Sequence, residues 1–258
     1  MKISCCIWAL PIDEEVAVPR VAEMGFSCID VRPPAFERPE VVDATVRVGL
    51  GVSCLAASFG LPEGASLDHE DAAPRAGAIA FTERAIELAA RLGADAVYLV
   101  PGTDGSEAAL ARYAAVVGPL AQRAQDRGLS LSLEHFPGLS LPTVAATRDF
   151  VERVDHPNLH VLVDIGHAQM EGITPAAAVY IAGDRLGYVH LDDNDGVGDL
   201  HQGLLDGMLT EKSLADTFSA LTQVGYEGAV SLELNATLED PAAALTQSLQ
   251  IVRNVLGS

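Results

Sequence analysis

Four short stretches in the second half of the chain each close on a side chain that can hold a cation or carry a proton. They read Ser-Leu-Ser-Leu-Glu134-His135, Val-Leu-Val-Asp164-Ile-Gly-His167, Tyr-Val-His190-Leu-Asp192-Asp193-Asn194-Asp195 and Val-Ser-Leu-Glu233-Leu-Asn235. If these are consecutive strands opening into one mouth, Glu134, Asp164, His190 and Glu233 bring three carboxylates and one imidazole together. Three carboxylates in a dry space repel one another unless a cation or bound protons offset their charge. Such a donor set suits Mn2+, Mg2+, Co2+ or Zn2+, and its excess of oxygen favours the harder ions. The chemistry within reach is proton removal from carbon beside a carbonyl. A cation chelated by the carbonyl and the adjacent hydroxyl would stabilise the resulting enediolate. Two carboxylates on opposite sides of that carbon would epimerise it, and one base shuttling a proton between C1 and C2 would interconvert aldose and ketose.

The elements that must position these groups are legible as an alternation. Candidate strands fall at residues 3–8, 28–31, 52–57, 96–100, 130–134, 160–164, 187–191 and 229–233, and their nearly continuous apolar character suits a parallel sheet covered on both faces. Between them lie segments of helical spacing, such as Phe81, Ala85, Leu88, Ala89 and Leu92, or Leu214, Phe218 and Leu221. Gly25, Gly49, Gly93, Gly128 and Gly225 stand where helices would end in a left-handed cap, and Asn158 is expected to do the same before the sixth strand. Eight strand–helix units in 258 residues predict a single (β/α)8 barrel over residues 1–258, with functional residues at the C-terminal strand ends. No glycine-rich phosphate-binding motif of a doubly wound sheet occurs. The irregular stretch 58–74 is expected to form a lid.

Composition limits the partners. Sixteen basic against 36 acidic residues give a net charge of −20, which opposes nucleic acid and anionic membranes. The two lysines, Lys2 and Lys212, are poorly placed for a Schiff base. No apolar run reaches a membrane span, and the N-terminal run is broken by Pro11 and followed by Asp13, Glu14 and Glu15, so it reads as a buried strand rather than a leader. Cys5, Cys6, Cys28 and Cys54 read as buried, reduced thiols of a cytoplasmic protein. Sparse aromatics and abundant alanine are compatible with a homo-oligomer.

Glu134, Asp164-x-x-His167, His190 and Glu233 resemble the metal-binding signature of the sugar phosphate isomerase/epimerase family, the xylose isomerase-like TIM barrels. The run from His190 through Asp199-Leu-His201 to Leu205-Asp206-Gly207 is similar to the strand-seven loop of many members. The resemblance implies that Glu134, Asp164, His190 and Glu233 hold one divalent metal, commonly manganese. It further implies that Glu134 and Glu233 are an acid/base pair, that His167 touches substrate, and that the substrate is a small carbohydrate or polyol-derived ketone. Dehydratases of inosose or dehydroshikimate, and C-glycoside-cleaving subunits, share the constellation and are the alternative. An AP endonuclease-type phosphodiesterase would need further histidines on strands three and four, whose tips here read Ala57-Ser58-Phe59 and Val100-Pro101-Gly102. A barrel that binds sugar or metal without turnover is the remaining reading.

Other residues are placed by position. Trp8, with Phe59 and Phe136, could wall a sugar face, and Asp199 and His201 could ligate a second metal or line the pocket. His135, next to Glu134, should point away from the pocket. Asp30 and Arg32 are expected to pair as a structural salt bridge. His156 and His160 belong to the opposite barrel end, and His69 to an exposed lid. The acidic run 192–206, without Arg or Lys, points to an uncharged sugar or inositol-like substrate.

Overall fold

The computed structural model describes residues 1–257. Eight parallel strands close into a barrel in sequence order: β1 (Lys2–Cys6), β2 (Cys28–Val31), β3 (Gly51–Ala56), β4 (Ala96–Leu99), β5 (Ser130–Glu134), β6 (Leu159–Asp164), β7 (Leu186–Leu191) and β8 (Ala229–Leu232). β1 pairs with both β2 and β8, which completes the ring. The helices are α1 (Glu14–Met24), α2 (Pro33–Phe36), α3 (Pro39–Val48), α4 (Ala72–Leu92), α5 (Glu107–Asp126), α6 (Val144–Val154), α7 (Ile165–Glu171), α8 (Pro175–Ala182), α9 (Glu211–Gln223) and α10 (Pro241–Leu256). The predicted (β/α)8 barrel is therefore the observed fold. No described helix is long and apolar enough to cross a membrane.

Local chemistry starts and stops these helices. The side chains of Asp13, Ser106, Thr143, Thr174, Thr210 and Asp240 each accept a hydrogen bond from a first-turn backbone N–H. Gly25, Gly49 and Gly93 close α1, α3 and α4 in the left-handed conformation. At α6 that part is taken by Asp155, with φ 53°, and not by Asn158. Asn158 instead donates its amide to the carbonyls of Ala121 and Leu129, bridging α5 to the entrance of β5.

Two packed layers result. The larger core lies between strands and helices, with residues such as Ile29, Leu55, Leu99, Leu131, Val161 and Val189 facing the helix ring. The smaller one fills the barrel interior with Cys54, Ala56, Ala96, Tyr98, Leu162, Tyr188 and Ala229. The four cysteines are buried and free.

Two strand ends differ from expectation in ways that matter to the site. β1 stops at Cys6, and residues Ile7–Ala9 turn into a short 3-10 helix that carries Trp8 over the mouth. β8 stops at Leu232, so Glu233 stands just beyond the sheet. The segment after β3 is pinned rather than free. Arg75 donates to the carbonyls of His69 and Glu70, and Arg112 donates to that of Asp68 at 2.7 Å. His69 is partly buried, not exposed, and its Nδ1 accepts from the Asp71 N–H.

Candidate active site and metal centre

Each site residue stands where its strand ends. Glu134 is the last residue of β5, Asp164 the last of β6, and His190 lies opposite Asp164 in the β6–β7 register. One ligating atom from each of Glu134, Asp164, His190 and Glu233 falls within 4.8 Å of all the others. His190 Nδ1 lies 2.6 Å from Glu233 Oε2, 3.6 Å from Glu134 Oε1 and 3.8 Å from Asp164 Oδ2.

These donors fit a divalent cation on two grounds. Asp164 Oδ1 is spent on the His167 backbone N–H at the start of α7, while Asp164 Oδ2 and His190 Nδ1 are buried without a well-formed hydrogen bond. Unsatisfied buried polar atoms are costly, and a cation among them would offset that cost. Oxygen dominance with one imidazole then favours a hard or borderline ion.

The charges around this centre have definite causes. Burial pushes the Glu134 carboxyl up, against the opposing pull of His190 and His167. Burial acts the same way on Glu233, but His190, His201 and the Trp8 N–H outweigh it and hold that carboxyl down at about 2. The indole Nε1–H of Trp8 donates to Glu233 Oε1 at 3.0 Å. Burial opposes the charged form of His167 as well, but Asp164, Asp199 and Glu134 together raise it to about 10.

His167 is aimed by its neighbours. Its Nδ1–H donates to the His135 carbonyl at 2.9 Å, which leaves Nε2 toward the cavity, 3.3 Å from Asp199 Oδ1. His201 Nε2 meets the same Asp199 oxygen at 3.0 Å, and His201 Nδ1 lies 3.0 Å from Asp192 Oδ2. Asp192 Oδ1 in turn accepts from the Gly166 N–H. A Cβ at Gly166 would come within 2.4 Å of the Asp192 carboxylate, so the Asp164-Ile-Gly-His167 stretch needs glycine at that point.

A cavity of about 450 Å³ opens above the centre. Trp8, Phe59, Phe136, His167, Asp199 and His201 all line it with Glu134 and Glu233. His135 does not. It is fully buried, and burial together with the neighbouring His167 lowers it to about 3, so it stays neutral. Its Nε2 faces the backbone of Asp164, and the ring steadies the strand end that presents that ligand. His156 and His160 lie at the other end of the barrel, as expected, with His156 near Gln122.

The expected Asp30–Arg32 salt bridge does not form. Two residues apart, they share a face but sit at different depths: β2 ends at Val31, and Arg32 lies above it in the mouth, over the Trp8 and Phe59 rings. Asp30 points into the barrel, where Ser4, Ser53 and Tyr188 donate hydroxyls to its Oδ1 at 3.0, 2.6 and 2.6 Å. Its Oδ2 faces His190 Nε2 at 3.6 Å. Tyr98 and Tyr188 set their rings edge-on to the same imidazole. Sequence reasoning missed this support, whose one visible signal was an acid inside the apolar run Cys28-Ile-Asp-Val. A carboxylate behind a ligating histidine fixes its orientation and raises its basicity. Asp30→Asn is accordingly expected to weaken Mn2+ binding by roughly 10- to 100-fold. Calorimetric titration checks this, and unchanged affinity would remove Asp30 from the metal centre.

Residues 18–255 match the family described as xylose isomerase-like TIM barrel. The chain belongs to this family. Its relatives include the ketose 3-epimerase of Arthrobacter globiformis, 29% identical over 99% of this chain and 90% of that protein. An L-ribulose 3-epimerase of Mesorhizobium japonicum is 27% identical over 82% of this chain and 72% of its own. Among solved structures, D-psicose 3-epimerase of Clostridium cellulolyticum H10, crystallised with D-tagatose, superposes with a TM-score of 0.82. It is 18% identical and 99% of each chain is covered, a likeness of fold. The expected class, a metal-dependent sugar isomerase or epimerase, is thereby borne out.

Proposed function

We propose that this protein is a ketose 3-epimerase, inverting the carbon beside the ketose carbonyl, with Mn2+ as its metal. The observation that carries this reading is the convergence of Glu134 and Glu233, from β5 and the end of β8, on one point shared with Asp164 and His190. Relatives over most of the chain that act as ketose epimerases support it.

Bound at these four residues, the cation would supply positive charge beside the carbonyl oxygen and so stabilise the enediolate. The remaining work belongs to the side chains. Glu134, buried and less well solvated than an ordinary carboxylate, takes the proton from C3 on one face. Glu233 faces it across the site and delivers a proton to the opposite face. Each carboxylate takes the other's part in the reverse direction. The Trp8 N–H holds Glu233 in place, and its indole forms an apolar wall for the sugar. His167, fixed by the His135 carbonyl and charged beside Asp199, donates to a substrate oxygen. Phe136, whose ring centre is 4.3 Å from that of His167, helps to exclude water.

The test is solvent deuterium exchange by NMR with D-fructose, D-tagatose and L-ribulose in the presence of Mn2+. Deuterium at C3 together with the C3 epimer is the expected result. Exchange at C1 with an aldose product would make the protein an isomerase instead, and loss of water after exchange would make it a dehydratase.

A further inference from the structure

The cavity holds one guanidinium that the metal centre does not use. Arg32, just beyond β2, places its Cζ 4.3 Å from the Trp8 ring centre and 4.5 Å from that of Phe59. Those two rings are themselves stacked, 5.9 Å apart. Among the described residues Arg32 is the sole Arg or Lys lining the cavity, and no carboxylate lies within salt-bridge distance of it. Its Nε is buried without a hydrogen-bond partner. Arg38, Arg123, Arg127 and Arg148, by contrast, each pair with acidic side chains nearer the surface.

A guanidinium carries five donors in a planar fork that matches carboxylate or phosphate. Here the Trp8 and Phe59 rings hold the guanidinium in place while its donors stay unspent, so less freedom is lost when an anion docks. The chain has 36 acidic residues, and none is supplied to Arg32 as a partner. The acidic loop after β7, which suggested an uncharged substrate, does not counteract this. Its cavity-lining acid, Asp199, is already engaged by His167 and His201, and Asp192 is engaged by His201 and the Gly166 N–H.

Position completes the argument. One edge of Trp8 bonds Glu233, and the face of the same indole carries Arg32. A substrate with its reacting carbons between Glu134 and Glu233 can therefore run along the indole with its far end at the guanidinium. We propose that Arg32 docks an anionic group, phosphate or carboxylate, at the end of the ketose remote from the reacting carbons, so that the preferred substrate is an acidic ketose. This rests on the ketose-epimerase reading for the substrate's identity, though the anion site itself can be tested separately.

Trp8 is the single tryptophan of the chain and reports on this contact by fluorescence. The Mn2+-loaded wild type, Arg32→Met and Arg32→Lys would be titrated with D-fructose, D-fructose 6-phosphate and D-fructuronate, and the same ketoses followed for exchange at C3. A charge-assisted hydrogen-bonded pair predicts that one of the two anionic ketoses binds about 10- to 100-fold more tightly than D-fructose in the wild type. That preference should collapse in Arg32→Met and return in part in Arg32→Lys. Whether the phosphate or the uronate is favoured identifies the anion. Equal binding of all three ketoses, or a preference that survives Arg32→Met, would overturn the proposal while leaving epimerisation intact. Arg32-dependent anion binding without exchange in any ketose would uphold the anion site and remove the epimerase reading.

Discussion

Glu134→Gln and Glu233→Gln are each expected to lower turnover about 1,000-fold or more, since general base catalysis alone contributes roughly 100- to 10,000-fold and each residue is also a metal ligand candidate. Glutamine keeps the shape and one oxygen of the side chain but cannot accept a proton from carbon. The two variants should fail differently. If Glu134 and Glu233 work on opposite faces of C3, each variant retains one competent base. Residual wash-in of deuterium would then persist with one C3 epimer as substrate and vanish with the other, with the preference reversed between variants. Measuring exchange separately from product formation, for both epimers, reads this directly. Full activity in either variant would remove that residue from the mechanism. Loss of exchange with both epimers in one variant, with exchange of both retained in the other and metal bound in each, would instead assign both proton transfers to one carboxylate.

Removing the metal should have an equally large effect, and one visible without any substrate. Chelation is expected to abolish activity, with Mn2+ or Co2+ restoring it best because three carboxylate oxygens and one imidazole suit those ions. The same ion should stabilise the fold, because the ligands come from β5, β6, β7 and the end of β8, and unfolding separates them. At 100 times its dissociation constant a ligand contributes about 2.7 kcal/mol, which for a chain of this size corresponds to roughly 5–10 °C in Tm. Thermal scans of chelated protein with added Mn2+, Co2+, Zn2+ and Mg2+ would rank the ions. Full activity in metal-stripped protein, with no shift in Tm on adding any of them, would overturn the metal centre altogether.

Several features of this protein are local, and those were legible from the residues alone. β2 and β5 occupy the residues expected of them, 28–31 and 130–134. Gly25, Gly49 and Gly93 mark helix ends because only glycine occupies the left-handed cap without strain. The four candidate ligands were readable because each stands at or next to the C-terminal end of its own strand, and a barrel of consecutive parallel strands brings neighbouring ends together whatever the loops do. Asn158 and Asp155 show the limit of that reasoning. Both residue types tolerate a left-handed backbone, and the choice between them is made by where the last turn of α6 runs out.

By itself the sequence determined the barrel, its direction and which side chains gather at its mouth as candidate metal ligands, since periodicity, caps and strand-end chemistry act over a few residues. Only the tertiary structure decided what surrounds those ligands. Asp30 and Arg32 are two residues apart and of opposite charge, an apparent salt bridge on paper. Closure of the barrel instead buries Asp30 among Ser4, Ser53 and Tyr188, behind His190. The 3-10 turn after β1 lays Trp8 across the mouth, where it meets Glu233 on one edge and Arg32 on its face. Three of these contacts join residues more than 100 positions apart: Asp30 with Tyr188, Asp30 with His190, and Trp8 with Glu233. A local pattern contains no information about such pairs, because they exist only once β1 has found β8 and the ring has closed.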